Sequence, residues 1–91
     1  MNKFEALGRY IDGKERLEAL SREYQLLVSA LDREILNVAL FKNGKLEREN
    51  NVNALENMAV LLPKCQSLQQ DIFALTDEIN GYAEICEKPK I

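Results

Sequence analysis

Residues 54–86 read ALENMAVLLPKCQSLQQDIFALTDEINGYAEIC. Within this stretch Ala54, Met58, Leu61, Cys65, Leu68, Ile72, Leu75, Ile79, Tyr82 and Cys86 follow one another at alternating steps of four and three, with only Tyr82 carrying a polar atom besides the thiols. An average step of 3.5 residues keeps one edge of an α-helix facing a neighbour along its whole length, the seam of a coiled coil or long bundle. Toward the N-terminus the same rule, started at Leu7, passes through Tyr10, Lys14, Leu17, Leu20, Tyr24, Leu27, Leu31, Ile35, Val38 and Phe41, interrupted only by Lys14. No strand-like alternation competes over either stretch. Two long helices are therefore expected.

Between the stripes, Lys42-Asn43-Gly44-Lys45 precedes Glu47-Arg48-Glu49-Asn50-Asn51. Asn43 or Gly44 is suited to the left-handed residue that closes a helix, and Asn51 or Asn53 to the cap of the next, with Glu56 three residues after Asn53 as in a capping box. Asn-Gly between Phe41 and Leu46 also suits a two-residue β-hairpin turn, which is the less plain alternative. The expected fold is all-α: a single domain over 1–91, with a helix over about 3–42, a turn at 43–52, a helix over about 53–86 and a frayed tail at 87–91.

Three places threaten these helices. Asp12-Gly13 is able to end a short first helix after Ile11. Pro63 lacks a backbone donor and crowds the carbonyl four residues earlier, at a cost of about 3 kcal/mol in a helix interior, so a kink or a fresh start near Leu62 is expected. Asn80-Gly81 weakens the last turn, yet Tyr82 and Cys86 keep the register.

Twelve Lys and Arg against 15 Asp and Glu give a net charge of -3, contrary to the basic balance that binding a phosphate backbone requires. Nucleic acid is disfavoured as a partner. Acidic residues precede basic ones by four at Glu5 and Arg9, Asp12 and Arg16, Glu18 and Arg22, and Glu84 and Lys88, each pair worth a few tenths of a kcal/mol on a helix surface. The first helix is thus expected to neutralise its own arginines. Charges at Glu5, Arg9 and Asp12 interrupt any apolar core of a secretory signal, and the apolar runs Val38–Phe41 and Met58–Leu62 fall far short of the roughly 20 residues a bilayer span needs. A cytoplasmic setting without membrane insertion is expected, with Cys65 and Cys86 as reduced, small apolar side chains. On one helix they lie about 30 Å apart and do not pair.

The chain has no histidine, no Ser-His-Asp or Cys-His arrangement is therefore open to it, and its four isolated glycines form no phosphate loop. Acidic pairs such as Asp77-Glu78, Glu15 with Glu18 and Glu47 with Glu49 occupy helix-surface or loop positions, where solvated charge is the plain reading. No catalytic residue, cofactor or metal site is expected, and no enzymatic activity.

Tyr24 to Leu31 carries no charge, and Asn57 to Gln70 carries only Lys64. With the turn near residue 47, an antiparallel hairpin sets these two stretches side by side. There the apolar surface widens beyond one stripe, more than two helices are able to bury between themselves. The candidates to cover it are a second copy, the N-terminal segment folded back, or another protein; self-association into a dimeric four-helix bundle is favoured, with a heterologous protein next. The expected interface comprises Tyr24, Leu26, Leu27, Val28, Leu31, Leu36, Leu55, Val60, Leu62, Gln66 and Gln70; Gln66, Ser67, Gln69 and Gln70 beside Asn57 read most plainly as an exposed, uncharged helix face, with a polar recognition strip as the alternative. These readings point to a non-catalytic helical interaction module, an adaptor, small chaperone, regulator or inhibitor of a larger protein. The competing reading is a nucleic-acid-associated regulator whose dimer gathers Arg9, Arg16, Arg22 and Arg33 into one patch.

Overall fold

A computed structural model describes all 91 residues. Helix α1 spans Lys3–Val38 and helix α2 spans Arg48–Cys86, joined at the tip by two-residue strands β1, Phe41–Lys42, and β2, Lys45–Leu46. The two helices run antiparallel as one extended hairpin, 82% helical, measuring 67 × 17 × 14 Å.

Helix α1 starts where its first orphan donors find a partner: the Asn2 side chain accepts from the Glu5 N–H at 2.8 Å, in the geometry of an N-cap. It then runs past Asp12-Gly13 without a break. Gly13 is buried, and a Cβ at that position would stand 2.7 Å from Ile79 Cγ1. Gly13 is therefore a close-approach residue that lets the two helices meet, and the expected end of a short first helix does not occur. Helix propensity is given up there for interhelical contact.

The tip differs from the expected pair of helix caps. Phe41 pairs with Leu46 and Lys42 with Lys45, and the connecting Asn43 and Gly44 both have positive φ, 54° and 74°. Positive φ at both central residues is the type I′ requirement, which Asn-Gly meets at little cost. Helix α1 consequently ends at Val38, short of residue 42. Helix α2 begins at Arg48 rather than at Asn51 or Asn53, capped by Glu47, whose carboxylate accepts from the Asn50 N–H at 2.7 Å. Asn51 serves another purpose: buried in the first turn of α2, it donates through Nδ2 to the carbonyls of Leu40, at 3.0 Å, and Glu47. The Leu40 carbonyl also accepts the Glu47 N–H at 2.9 Å. One buried amide thus latches the turn to the helix that follows it.

Pro63 lies inside α2 with no fresh start beside it. Both Pro63 and Ala59, whose carbonyl loses its helical partner, are exposed, so water is available to that carbonyl and the helix continues. Cys65 and Cys86 are both free thiols on α2.

Packing is densest at the end opposite the tip. Tyr10, Leu75, Ile79 and Ala83 form the core there, flanked by Leu17, Leu20, Tyr82 and Cys86. Residues 87–91 do not fray. Glu87 turns left-handed with φ 59°, the Lys88 N–H donates to the Ala83 carbonyl at 3.0 Å, and the chain folds back along the hairpin. Tyr10 Oη donates to the Pro89 carbonyl at 2.9 Å. The Asn80 side chain accepts the Ile91 N–H at 2.8 Å, and Lys90 pairs with Glu84 at 2.5 Å. No sequence periodicity marks these contacts, because each joins a short segment to one distant side chain.

The ion pairs of the structure are Lys3–Glu87 at 3.2 Å and Lys90–Glu84. The four spaced pairs expected along the helices are not closed, and Glu84 turns to Lys90 instead of Lys88. Arg9 instead stands over the Tyr82 ring, 5.9 Å from its centroid.

Candidate functional site: an uncharged face of the hairpin

Two helices in contact leave a groove on each side, and the two grooves of this hairpin differ in chemistry. One is lined at mid-length by Ser21, Tyr24, Gln25, Gln69, Ile72 and Phe73, without a charge. The other carries Glu23, Lys64 and Asp71 around Leu20, Leu27 and Leu68, and nearer the base Arg16 with Asp71 and Glu78 and Arg9 with Asp12 and Glu78.

Helical geometry extends the apolar inner edge of this side toward the tip, with Asp32, seven residues after Gln25, on its outer edge. Val28, Leu31 and Ile35 follow Tyr24 at steps of four, three and four, and Leu62 and Leu55 lie seven and fourteen residues before Gln69, so they project on the same side. These side chains face water: Phe73 is 60% exposed, Leu55 58%, Ile35 51% and Leu62 48%. Toward the base the same side passes through Leu7, Tyr10 and Ile11, each fourteen residues before a member of the Ser21, Tyr24, Gln25 set. There Lys88, Pro89, Lys90 and Ile91 fold over its edge and flank an open cleft of about 530 Å³ with those residues and Lys14. One continuous side of the rod is thus flanked by the chain's own tail at the base and left open from Ser21 upward.

The expected interface residues are divided by this geometry. Tyr24, Val28, Leu31, Leu55 and Leu62 come together on the uncharged side, and Gln66 stands at its rim. Leu27 instead lines the charged groove. Leu26, Leu36 and Val60 are exposed but project from the outer surfaces of the hairpin. Gln70 is exposed and lines neither groove; the amide beside Tyr24 is Gln69. Ile35, placed on the inner stripe by its spacing, is exposed, and Glu34 is half-buried in its stead. The two successive steps of four from Leu27 through Leu31 to Ile35 exceed the 3.6-residue turn and rotate Ile35 off the inner edge.

Gln69 belongs to the amide-rich stretch noted in the sequence, and Phe73, which was not singled out, was legible too: Leu55, Ala59, Leu62, Gln66, Gln69 and Phe73 repeat the main α2 stripe displaced by one residue. A second stripe beside the first is the mark of a helix with two neighbours.

Titration adds little to this side. The Glu84 carboxyl is held below its ordinary range by the hydrogen bond from Lys90 and by that ammonium's charge. No three His, Cys, Asp or Glu side chains converge as a metal site would require, and no helix is long and apolar enough to cross a membrane. Arg9 and Arg16 share the charged groove with Asp12 and Glu78, so their charge is locally offset. Compared with protein-family models, with curated proteins and with solved structures, the chain matches none.

Proposed function

We propose that this chain is a non-catalytic interaction module: a helical hairpin that self-associates and binds a larger protein as an adaptor, small chaperone, regulator or inhibitor. The observation that supports it is the excess of open, uncharged apolar surface. The chain exposes 6698 Å², whereas a compact protein of its mass exposes about 5,400 Å². Its radius of gyration is 19.7 Å against about 12 Å for a compact chain of this length. Side chains such as Leu55, Leu62 and Phe73 gain roughly 1.5–3 kcal/mol each when fully buried, which is ample drive for association.

Leu26 and Leu36, 70% and 75% exposed on the outer surface of α1, offer a second contact region for a heterologous protein once the uncharged side is covered. Sedimentation of the purified chain over a range of concentrations tests the first half of this reading, and recovery of specific bound proteins from the native cell tests the second. A monomer at every concentration, with nothing bound, overturns it. The competing nucleic-acid reading requires salt-dependent retention on nucleic acid; absence of retention at low salt removes it.

A further inference from the structure

Resting on the self-association just proposed, the geometry points to a particular assembly: we propose that a second copy of this chain docks on the uncharged side, antiparallel, with each tip reaching the partner's folded-back tail. Three observations carry this.

The first is charge. The side bearing Tyr24, Val28, Leu62 and Phe73 holds apolar groups and amides along its inner edge, and its acids Glu18 and Asp32, seven residues before and after Gln25, are confined to the outer edge. A primary amide both donates and accepts, which allows Gln66 or Gln69 to satisfy its own counterpart across a two-fold axis. The opposite groove, with Glu23, Lys64 and Asp71, would set like charges near one another and strip them of water.

The second is the boundary set by residues 88–91. They raise the surface over Leu7, Tyr10 and Ile11. Two copies laid parallel and in register would bring tail against tail and hold the open stretches apart. Reversing one copy removes that collision.

The third is length. From Val28, near the middle of the open stretch, to the turn at Asn43 is 15 residues, about 22 Å of helix. In an antiparallel pair centred on Val28, the partner's tip reaches equally far past it toward the base, to the level of Gly13 and Lys14, where the tail begins to cover the surface. Phe41 and Leu46 at the tip, 61% and 55% exposed, then approach Ile11 and Ile91, 48% and 45% exposed. The copies overlap over about 45 Å of a rod 17 Å wide. That gives roughly 1,500 Å² in total, the size of a specific protein–protein interface.

The test uses the full chain in solution, by sedimentation with small-angle scattering. A dimer with a maximum dimension of about 90 Å is expected from the overlap of two 67 Å rods. Leu62→Glu weakens dimerisation at least tenfold with helix content unchanged, whereas Val60→Glu, at a position at least as exposed but on another side of α2, leaves the dimer intact. Gln69→Lys gives the same loss as Leu62→Glu while altering no apolar contact within the hairpin, so the assignment stays testable if Leu62→Glu misfolds. A dimer no longer than one rod, or one broken by Val60→Glu and not by Leu62→Glu or Gln69→Lys, overturns this assembly and leaves self-association standing. A monomer throughout overturns both.

Discussion

The base and the middle of the hairpin are built from the same alternation of three and four, yet only the base closes. At the base, Gly13 removes a side chain so that Ile79 sits with no exposure, Tyr10 fills the neighbouring turn, and the tail bonds to Tyr10 and Asn80. In the middle, Tyr24 and Leu27 contact α2 along one edge, and the apolar groups beside them, Val28, Ile35, Leu55 and Leu62, stay in water. A pattern of apolar residues fixes which edge of a helix turns inward; whether the flanks are covered depends on a third element. The tail is that element at the base, and the middle has none within the chain.

Substitutions at the two levels should therefore differ in kind. Ile79→Ala empties a fully buried position and is expected to cost about 2–5 kcal/mol, lowering Tm by well over 10 °C in a domain of this size. Leu62→Ala, at a position half in water, should cost under about 1 kcal/mol in dilute monomer. Thermal unfolding followed by circular dichroism, at concentrations low enough to exclude association, measures both; equal losses would erase the distinction.

The tip offers the next largest effect. Asn51→Leu keeps the volume but leaves the Leu40 and Glu47 carbonyls without the side-chain donor, and a loss of about 1–3 kcal/mol is expected, with faster amide exchange at Glu47 and Asn50. Stability unchanged by this substitution would mean that the backbone bond from Glu47 to Leu40 holds the turn unaided.

Glycine substitutions sharpen the comparison within one residue type. Gly8→Ala and Gly81→Ala, where an added Cβ meets nothing within 4 Å, should stabilise by about 0.5–1 kcal/mol each through helix propensity. Gly13→Ala should destabilise by about 1–2 kcal/mol net, because overpacking against Ile79 outweighs the same gain. A stabilised Gly13→Ala protein would show that the helices separate there without loss.

The smallest effect concerns the tail. Because the Glu84 carboxyl is held below its ordinary range by Lys90, the pairing contributes above the carboxyl's unfolded-state pKa and is lost as pH falls through its lower folded value. The pair is exposed, so global stability should hardly move. The protection of the Ile91 amide against exchange, relative to its intrinsic rate at each pH, should fall on acidification, and Glu84→Gln should abolish that pH dependence. An unchanged pH response in Glu84→Gln would assign it to another group.

Much of this was legible beforehand. The stripes from Leu7 and from Ala54 give two helices and their antiparallel pairing, and the two charge-poor stretches do come to one level, with Tyr24 beside Gln69 and Leu27 beside Lys64. Other features depended on geometry that spacing does not encode. Gly13 presents the same sequence signal whether it breaks a helix or admits a neighbour, and the 2.7 Å approach of Ile79 decides between them. Asn43-Gly44 suits a helix end and a type I′ turn alike; the choice falls to the turn because Asn51 and the Leu40 carbonyl reward it. Leu26, Leu36 and Val60 are as apolar as Leu62, and only the direction each projects separates them. The tail was illegible for another reason: its partners, Tyr10 and Asn80, are far away in the chain or offer only one hydrogen-bonding side chain each.

The ion pair between Lys3 and Glu87 places both ends of the hairpin at the base. Tension applied between the two termini therefore does not shear the helices past one another; it peels them apart, beginning with the tail and the Gly13–Ile79 contact. Resistance is met first, and once that contact yields, the less tightly held turns toward Asn43 follow at lower force. A hairpin built this way is mechanically stiff to small loads and opens in one run beyond a threshold.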